Sequence, residues 1–222
     1  MQITHLIVGP IETNCWIYPL DEKDAIVIDP GDEAEKIISA LKNLGLSPCY
    51  ILLTHGHFDH IAAVPNLLKA YDSKKPVIAI HRRDIEYLGP DALKAQSKSI
   101  KAAIHNISFV KEFLNVSEFG LPSPGLVLED GDTVGPLTVL HLPGHTPGSA
   151  AFLDKKEGVL FTGDTLFEGT YGRTDLPGGD EQEIFASLRR LFAMDGNIKV
   201  YPGHGETTTI GREANRKELY FY

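Results

Sequence analysis

One short segment carries an unusual density of side chains that can bind metal. Residues 55–60 read His-Gly-His-Phe-Asp-His, which places three imidazoles and one carboxylate within six positions. Imidazole nitrogen and carboxylate oxygen are the ligands that zinc and iron commonly take in proteins. In extended backbone, residues two apart point to the same side, so His55 and His57 can face one ion. Asp59 and His60 come where the chain turns into a predicted helix, and they can face a second ion beside the first.

Three further candidate ligands each follow an apolar run and a glycine. The motifs are PGHTPG at His145, TGDT at Asp164 and PGHG at His204. A rigid sheet commonly presents functional residues on the loops at its strand ends, so these loops can converge on one place. The alternative is a set of polar loops that bind no metal. The pattern favours a metal centre with seven ligands: His55, His57, Asp59, His60, His145, Asp164 and His204.

A pattern of ligands that can hold two divalent ions predicts a hydrolase. A bound metal lowers the pKa of its water from about 15.7 to about 7, and ions about 3.5–4 Å apart can share the hydroxide and polarise a carbonyl oxygen. We predict that Asp59 orients this bridging hydroxide and is therefore catalytic. No GxSxG motif indicates a serine nucleophile. Because a thiolate of pKa about 8.5 leaves without an added proton, thioester or ester cleavage is favoured over amide cleavage.

Composition and charge exclude other classes of function. The 222 residues carry a formal net charge of −9, which opposes binding to nucleic acid and to anionic membranes. No apolar stretch approaches the roughly 18 residues of a membrane span, and the N-terminus lacks the pattern of a signal peptide. Cys15 and Cys49 are too few for a disulfide framework. We therefore expect a cytoplasmic protein that acts on a small molecule.

Short apolar runs bounded by turn residues predict the strands that must position these ligands. Polar residues 21–24 predict a hairpin between the second and third runs. The predicted strands are Gln2–Val8, Thr13–Tyr18, Ala25–Ile28, Tyr50–Leu53, Val77–Ile80, Leu126–Leu128, Leu137–Leu140, Ala150–Leu153, Val159–Phe161 and Lys199–Tyr201.

Helices are predicted between these strands. One is capped by Asp32 and ended by Gly45, and another is capped by Asp180. A third covers His60–Ala70, where Pro65 must lie in the first turns or break the helix. A short helix begins near Gly211. The mixed order of strands and helices suggests stacked sheets with helices outside.

The segment 82–119 is predicted to be mainly helical, with helices over Arg82–Leu88 and Asp91–His105. It forms an excursion from the sheet layers. We find no repeat, low-complexity tract or linker, so the sequence predicts a single domain over residues 1–222.

From THGHFDH through GHTPGS and TGD to PGHG, the sequence resembles the metallo-β-lactamase superfamily over nearly the whole chain. The resemblance implies a four-layer αββα sandwich, in which two mixed β-sheets have helices on both outer faces. It implies that the first ion is held by His55, His57 and His145. It implies that the second ion is held by Asp59, His60 and His204, while Asp164 bridges the two. Two zinc ions are expected, with iron or manganese as alternatives.

Two segments, 163–180 and 203–213, are similar to the glyoxalase II group, the hydroxyacylglutathione hydrolases, and especially to its short single-domain bacterial branch. The resemblance implies a small-molecule thioester of the S-lactoylglutathione type. Arg173 matches a basic residue that contacts glutathione in the long enzymes, but an ion pair with Asp175 is an equal alternative. The long enzymes also have a C-terminal helical domain that completes the glutathione site, and the sequence after His204 shows no counterpart. The sequence therefore does not specify the identity of the thiol carrier.

Other interpretations of the same residues stay open. A persulfide dioxygenase shares the GRTD-type segment and would use one iron on His55, His145 and Asp164. A lactone or ester hydrolase has the same fold. A β-lactamase is disfavoured by the absence of an export signal, and an RNA-processing nuclease by the negative charge. A redox module without hydrolysis is disfavoured because diiron oxygen reductases of this fold typically have a carboxylate where His57 stands. His81 and His141 are expected to be structural.

Overall fold

Two β-sheets of six strands each form the body of the molecule, in a computed structural model that describes residues 2–90, 92–103 and 121–221. The first sheet has the strand order β1 (Thr4–Val8), β2 (Thr13–Pro19), β3 (Asp24–Ile28), β4 (Ser47–Leu52), β5 (Val77–His81) and β6 (Leu126–Leu128). Strands β1 to β3 pair antiparallel, and β3 to β6 pair parallel. The antiparallel pairing of β2 with β3 confirms the predicted hairpin.

The second sheet comes mostly from the C-terminal half. Its strands are β7 (Thr133–Val134), β8 (Leu137–His141), β9 (Ala150–Asp154), β10 (Val159–Gly163), β13 (Lys199–Pro202) and β14 (Thr208–Thr209), in the spatial order β14-β13-β10-β9-β8-β7. β10 and β13 pair parallel, whereas the other neighbours pair antiparallel. A small ribbon of β11 (Leu166–Phe167) and β12 (Thr170–Tyr171) follows β10. The two-residue strands were not predicted, because two residues show no periodicity.

The buried apolar side chains form three clusters: one between the two sheets, and one between each sheet and its outer helices. On β3, Ile26 and Ile28 face the second sheet while Val27 faces the outer helices, because successive side chains of a strand point to opposite faces. On the second sheet, Phe161 packs in the cluster between the two sheets, and Leu160 packs in the cluster between this sheet and its outer helices. The clusters therefore lie between four layers. This arrangement confirms the predicted αββα sandwich of two mixed sheets.

Helices form the two outer layers. The α-helices of the described residues are α1 (Ala34–Leu44), α2 (Phe58–Ile61), α3 (Val64–Ala70), α4 (Ala92–Ala103), α5 (Glu181–Phe192) and α6 (Ile210–Ala214). Apolar residues of α1 and α3 pack on the first sheet, and those of α5 and α6 pack on the second. None of the helices in this part of the chain is long and apolar enough to cross a membrane.

Two predicted helix starts differ from the structure. Asp32 does not cap α1, because its Oδ1 accepts a hydrogen bond from the adjacent Glu33 N–H at 2.6 Å. Glu33 precedes the helix with a φ of 48°, and its carboxylate accepts a hydrogen bond from the Gly9 N–H at 3.0 Å. The predicted helix His60–Ala70 is two helices, with Pro65 in the first turn of α3, where no N–H is needed. The predicted ends at Gly45 and Asp180 are confirmed.

The helical excursion lies against a loop that carries two candidate ligands. Residues Arg82–Tyr87 form a 3-10 helix and α4 follows, which confirms the predicted helical character of this part. The rest of the predicted segment, residues 104–119 with His105, lies outside the described residues. On α4, the Gln96 Nε2 donates to the carbonyl oxygen of Gly56 at 2.7 Å and to that of Tyr87 at 3.2 Å. Helix α4 is thereby tied to the loop between His55 and His57.

His81 at the end of β5 stacks on His141 at the end of β8, with ring centroids 3.9 Å apart. Its Nδ1 accepts a hydrogen bond from the Arg83 N–H at 3.3 Å, and its Nε2 lies 3.9 Å from a Glu129 carboxylate oxygen. Burial, and then the neighbouring His141, lower the pKa of His81 to about 4. The imidazole is therefore neutral in the folded protein at neutral pH.

We expect the free energy of unfolding to fall by about 2 kcal/mol between pH 7 and pH 5 because of His81. In that range the unfolded chain, with a histidine pKa of about 6.5, binds a proton that the folded protein does not bind. His81→Asn retains an acceptor for the Arg83 N–H and removes this titration, so its pH dependence should be smaller by that amount. Urea unfolding of both proteins at the two pH values, without metal, measures the difference. Equal pH dependence would contradict the assignment.

Candidate metal centre

The seven candidate ligands lie in loops and turns that follow four strands. His55 and His57 follow β4, with Asp59 and His60 on the adjoining α2. The others follow β8, β10 and β13 in turn: His145, Asp164 and His204. Their ligand atoms form three groups, and within each group the atoms lie within 4.8 Å of one another. The groups are His55–His57–His145, His55–His60–Asp164 and Asp59–His60–His204.

Asp164 lies between the other two sets of side chains. Its Oδ1 is 3.4 Å from the His60 Nε2, and its Oδ2 is 3.6 Å from the His145 Nε2. On one side, the His57 Nδ1 lies 2.9 Å from the His145 Nε2. On the other, the His60 Nε2 lies 3.3 Å from the His204 Nε2. A carboxylate at this position can contact two ions at once.

Several buried atoms of this cluster have no hydrogen-bond partner among the residues that the structure describes. They are the His55 Nε2, the His57 Nε2 and the Asp164 Oδ1. Buried polar atoms are nearly always paired, because a desolvated donor or acceptor left alone costs free energy. A cation among these nitrogen and oxygen atoms would supply the missing partner for those that face it. The residues therefore fit a metal centre.

The charges of these side chains depend on burial and on close neighbours. Burial and the surrounding imidazoles hold the pKa of His55 and His57 well below the usual range, so both rings are neutral. Burial opposes ionisation of Asp59, but His60 and His204 outweigh it and hold its carboxyl pKa well below the usual range. Neutral imidazole and ionised carboxylate are the forms that bind metal.

Asp29, which sequence reasoning did not identify, orients two of the candidate ligands. Its Oδ2 lies 3.0 Å from the His60 Nδ1, which leaves the Nε2 of that ring facing the centre. The N–H and hydroxyl of Thr54 donate to the same carboxylate at 2.8 and 2.7 Å, and the Thr54 Oγ1 lies 3.0 Å from the His55 Nδ1. In the sequence Asp29 is one of several acidic residues that follow an apolar run, and nothing there distinguishes it from Asp32 or Glu33.

Asp84, also missed, joins two ligand loops. Its fully buried carboxylate accepts hydrogen bonds from the Gly56 N–H at 2.9 Å, the Thr146 hydroxyl at 2.7 Å and the Gly148 N–H at 2.6 Å. Gly56 separates His55 from His57, and the other two donors follow His145. Burial raises the pKa of the Asp84 carboxyl, while the three donors lower it. This one carboxylate thus fixes the loops of the first ligand group relative to each other.

The start of β2 holds the loop of His204. The Asn14 Nδ2 donates to the carbonyl oxygens of Pro202 at 3.0 Å and Gly205 at 2.9 Å, and its backbone N–H donates to Gly203 at 2.7 Å. A Cβ on Gly203 would lie 2.2 Å from the Asp164 Oδ1, so this loop can approach the centre only with glycine there. Steric crowding therefore explains why the first glycine of the PGHG motif, Gly203, is required.

Arg173 contacts the metal centre through its backbone carbonyl group. Its carbonyl oxygen lies 2.7 Å from the His145 Nδ1, which leaves the Nε2 of that ring for a metal. Its guanidinium pairs with Asp175, at 2.6 Å from Nε to Oδ1 and 2.7 Å from Nη2 to Oδ2. The structure thus shows the ion pair that the sequence left as one of two alternatives. The predicted contact between Arg173 and a substrate stays a prediction.

Comparison with known proteins gives close relatives of almost equal length. The family model described as the metallo-beta-lactamase superfamily matches residues 8–204, which include all seven candidate ligands. The hydroxyacylglutathione hydrolase GloC of Haemophilus influenzae is 35% identical over 217 residues, which cover 96% of this chain and 95% of that protein.

Solved structures agree with this similarity. TTHA1623 in a di-iron-bound form is 36% identical with a TM-score of 0.75, over 95% of this chain and 96% of that one. The B3 metallo-beta-lactamase BLEG-1 is 33% identical with a TM-score of 0.80, over the whole of both chains. Together with the His/Asp cluster, these similarities indicate a dinuclear metal centre.

Proposed function

Because this chain belongs to the metallo-β-lactamase superfamily and is a metallo-hydrolase, we propose that it cleaves thioesters of the S-2-hydroxyacylglutathione type, such as S-lactoylglutathione. The observation that carries this proposal is the complete set of dinuclear donors around Asp164. The similarity to GloC, a hydroxyacylglutathione hydrolase, supports the choice of substrate class. The proposed partner is thus a small molecule, and the net charge of −9 opposes nucleic acid and anionic membranes.

We assign the ligands to two ions. One would be held by His55, His57 and His145. The other would be held by Asp59, His60 and His204, and Asp164 would bind both. Two zinc ions are proposed, with iron or manganese as alternatives, since TTHA1623 is a di-iron form. Bound divalent ions lower the pKa of water and polarise a substrate carbonyl.

Asp59 is proposed to orient the attacking water. The Thr13 hydroxyl donates to its Oδ2 at 3.3 Å, and the His204 Nε2 lies 3.4 Å from the same atom. Both contacts hold the carboxylate in one position at the centre. Because its carboxyl pKa is held well below the usual range, Asp59 is ionised at neutral pH and can accept a hydrogen bond from water.

The leaving group needs little from the protein. A thiolate with a pKa of about 8.5 departs as the anion, so no general acid is required. The imidazoles at the centre are all assigned as ligands, which leaves no free histidine among them to protonate an amine. Thioesters are therefore better matched to this site than amides. Arg173 stays a proposed substrate contact, and its guanidinium pairs with Asp175 in the structure.

A persulfide dioxygenase with one iron on His55, His145 and Asp164 is less well matched. It would leave His57, His60 and the other donors without a metal, although they lie in contact with the same centre. A β-lactam or lactone substrate is the second candidate, because BLEG-1 is similar over its whole length. Both alternatives give distinct products.

We expect the zinc-loaded protein to contain two metal equivalents per chain and to hydrolyse S-lactoylglutathione in preference to a lactone and a β-lactam. The reason is the dinuclear donor set combined with the easy departure of a thiolate. Elemental analysis, together with assays of the thioester, lactone, β-lactam and glutathione persulfide, measures this. One iron per chain with oxygen uptake on the persulfide would overturn the hydrolase proposal, and a preference for β-lactams would overturn the substrate class.

A further inference from the structure

A cavity of about 580 Å³ adjoins the metal centre on the side of His57. The Tyr87 ring lines the cavity and also packs edge-on against the His57 ring, with centroids 5.8 Å apart. Pro147, two residues beyond His145, lines the cavity as well. Its volume lies within the roughly 300–1,000 Å³ of sites for small molecules. The cavity is thus large enough to hold part of a substrate, and one of its walls, the Tyr87 ring, contacts a candidate ligand.

The wall shared with the metal centre is closely packed. A Cβ on Gly56 would lie 2.3 Å from the Tyr87 ring, so this ring packs directly on the ligand loop. The Gln96 Nε2 bridges the carbonyl oxygens of Gly56 and Tyr87. On another wall, a Cβ on Gly178 would lie 2.8 Å from the Pro147 ring. These contacts fix the position of the cavity relative to the ligands.

The cavity carries two positive charges and one negative charge. Lys94 and Lys98, four residues apart on α4, line it together with Glu86 of the preceding 3-10 helix. Neither lysine forms an ion pair with any residue that the structure describes, and both are exposed. Like charges four residues apart on a helix repel each other, so their placement costs the helix stability. An anionic ligand would offset this repulsion.

We propose that this cavity binds the thiol carrier of the substrate, with Lys94 and Lys98 binding its two carboxylates and Glu86 its ammonium group. The inference rests on the proposed thioester hydrolase, and it names the part of the protein that recognises the carrier. Glutathione has two carboxylates and one ammonium group, which matches the three charges of the cavity. Helix α4 would then supply a binding wall from within this chain.

The test uses the zinc-loaded full chain and S-methylglutathione, a thioether that cannot be hydrolysed. Calorimetry should show binding that weakens about 10-fold in Lys94→Ala/Lys98→Ala, since each partly solvated ion pair contributes modestly. Lys101→Ala, which changes an exposed lysine of α4 that does not line the cavity, should leave the Kd within about twofold. Lys94→Arg/Lys98→Arg should restore most of the affinity. Added salt should weaken binding to the wild type more than to the double alanine variant.

Kinetics provide an independent measurement. The double alanine variant should raise the KM for S-lactoylglutathione about 10-fold with little change in kcat. The S-lactoyl thioester of uncharged N-acetylcysteamine should be hydrolysed equally by wild type and variant. A double variant with an unchanged Kd and KM, or an equal loss in Lys101→Ala, would overturn the proposal.

The two proposals fail separately. If the wild type hydrolyses the uncharged thioester but does not bind S-methylglutathione, the carrier site is wrong and the thioester hydrolase stands. If S-methylglutathione binds through the two lysines but no thioester is cleaved, the carrier site stands and the proposed reaction is wrong.

Discussion

His57→Ala is expected to remove about one of the two metal equivalents and to lower kcat/KM at least about 100-fold, because even residues outside the ligand set cost 10–100-fold when removed. The His57 Nδ1 lies 2.9 Å from the His145 Nε2, and both nitrogens face the same part of the centre. Without that imidazole, the assigned ligands of the first ion would be His55, His145 and the shared Asp164. Elemental analysis after dialysis, with steady-state kinetics on S-lactoylglutathione, measures both effects.

His141→Gln is the matched control for this substitution. His141 also lies near the ligand loops, with its Nε2 2.9 Å from the Pro147 carbonyl oxygen, but it belongs to none of the ligand groups. A glutamine keeps a donor for that carbonyl, so this variant should retain two metal equivalents. Two metals and full activity in His57→Ala would refute the dinuclear assignment, whereas metal loss in both variants would mean that the substitution acts through the fold.

Asp84→Asn is expected to lower zinc affinity about 10–100-fold and to destabilise the protein, although this residue binds no metal in our assignment. Its carboxylate accepts hydrogen bonds from two backbone N–H groups and one hydroxyl, and an amide nitrogen cannot accept any of them. Each buried N–H left without an acceptor costs about 1–3 kcal/mol. Zinc titration and thermal unfolding with and without zinc measure the two effects.

Two further variants test whether the effect of Asp84→Asn comes from its hydrogen bonds to the ligand loops. Asp72→Asn makes the same chemical change at an exposed carboxylate that pairs with Lys75 at 2.8 Å, and it should change stability by less than about 1 kcal/mol. Thr146→Val removes one of the three donors to Asp84 and should give a smaller loss of zinc affinity in a folded protein. Unchanged zinc affinity in both Asp84→Asn and Thr146→Val would show that the two ligand loops are fixed by other contacts.

Much of the fold followed from local patterns. Short apolar runs bounded by turn residues located the longer strands within a few residues, and Gly45 and Asp180 ended or began helices as predicted. The predicted cap at Asp32 was wrong for a local reason, because its carboxylate accepts a hydrogen bond from the adjacent Glu33 N–H. At Pro65 the structure shows a break, which was one of the two predicted outcomes, since proline lacks the N–H that an interior turn would need.

The ligands could be identified from the sequence because most of their signal is local. Four of them lie within six residues, and each of the other three follows a glycine after an apolar strand. The structure shows why glycine is required at one of these places, since a Cβ at Gly203 would collide with Asp164. Sequence and structure therefore agree on which side chains meet.

The residues that hold the ligands were decided only by the tertiary structure. Asp84 contacts loops that are 28 and 64 residues away in the chain, and Asn14 contacts a loop 188 residues away. A single Asp or Asn has no periodicity or motif, so its partners are known only once the strands are paired. The same holds for the cavity, which is lined by α4 and Pro147, and for the contact of α4 with the loop between His55 and His57. The sequence by itself determined which groups can bind metal, because their types and spacing are local, and packing between distant segments decided how they are oriented and what lies beside them.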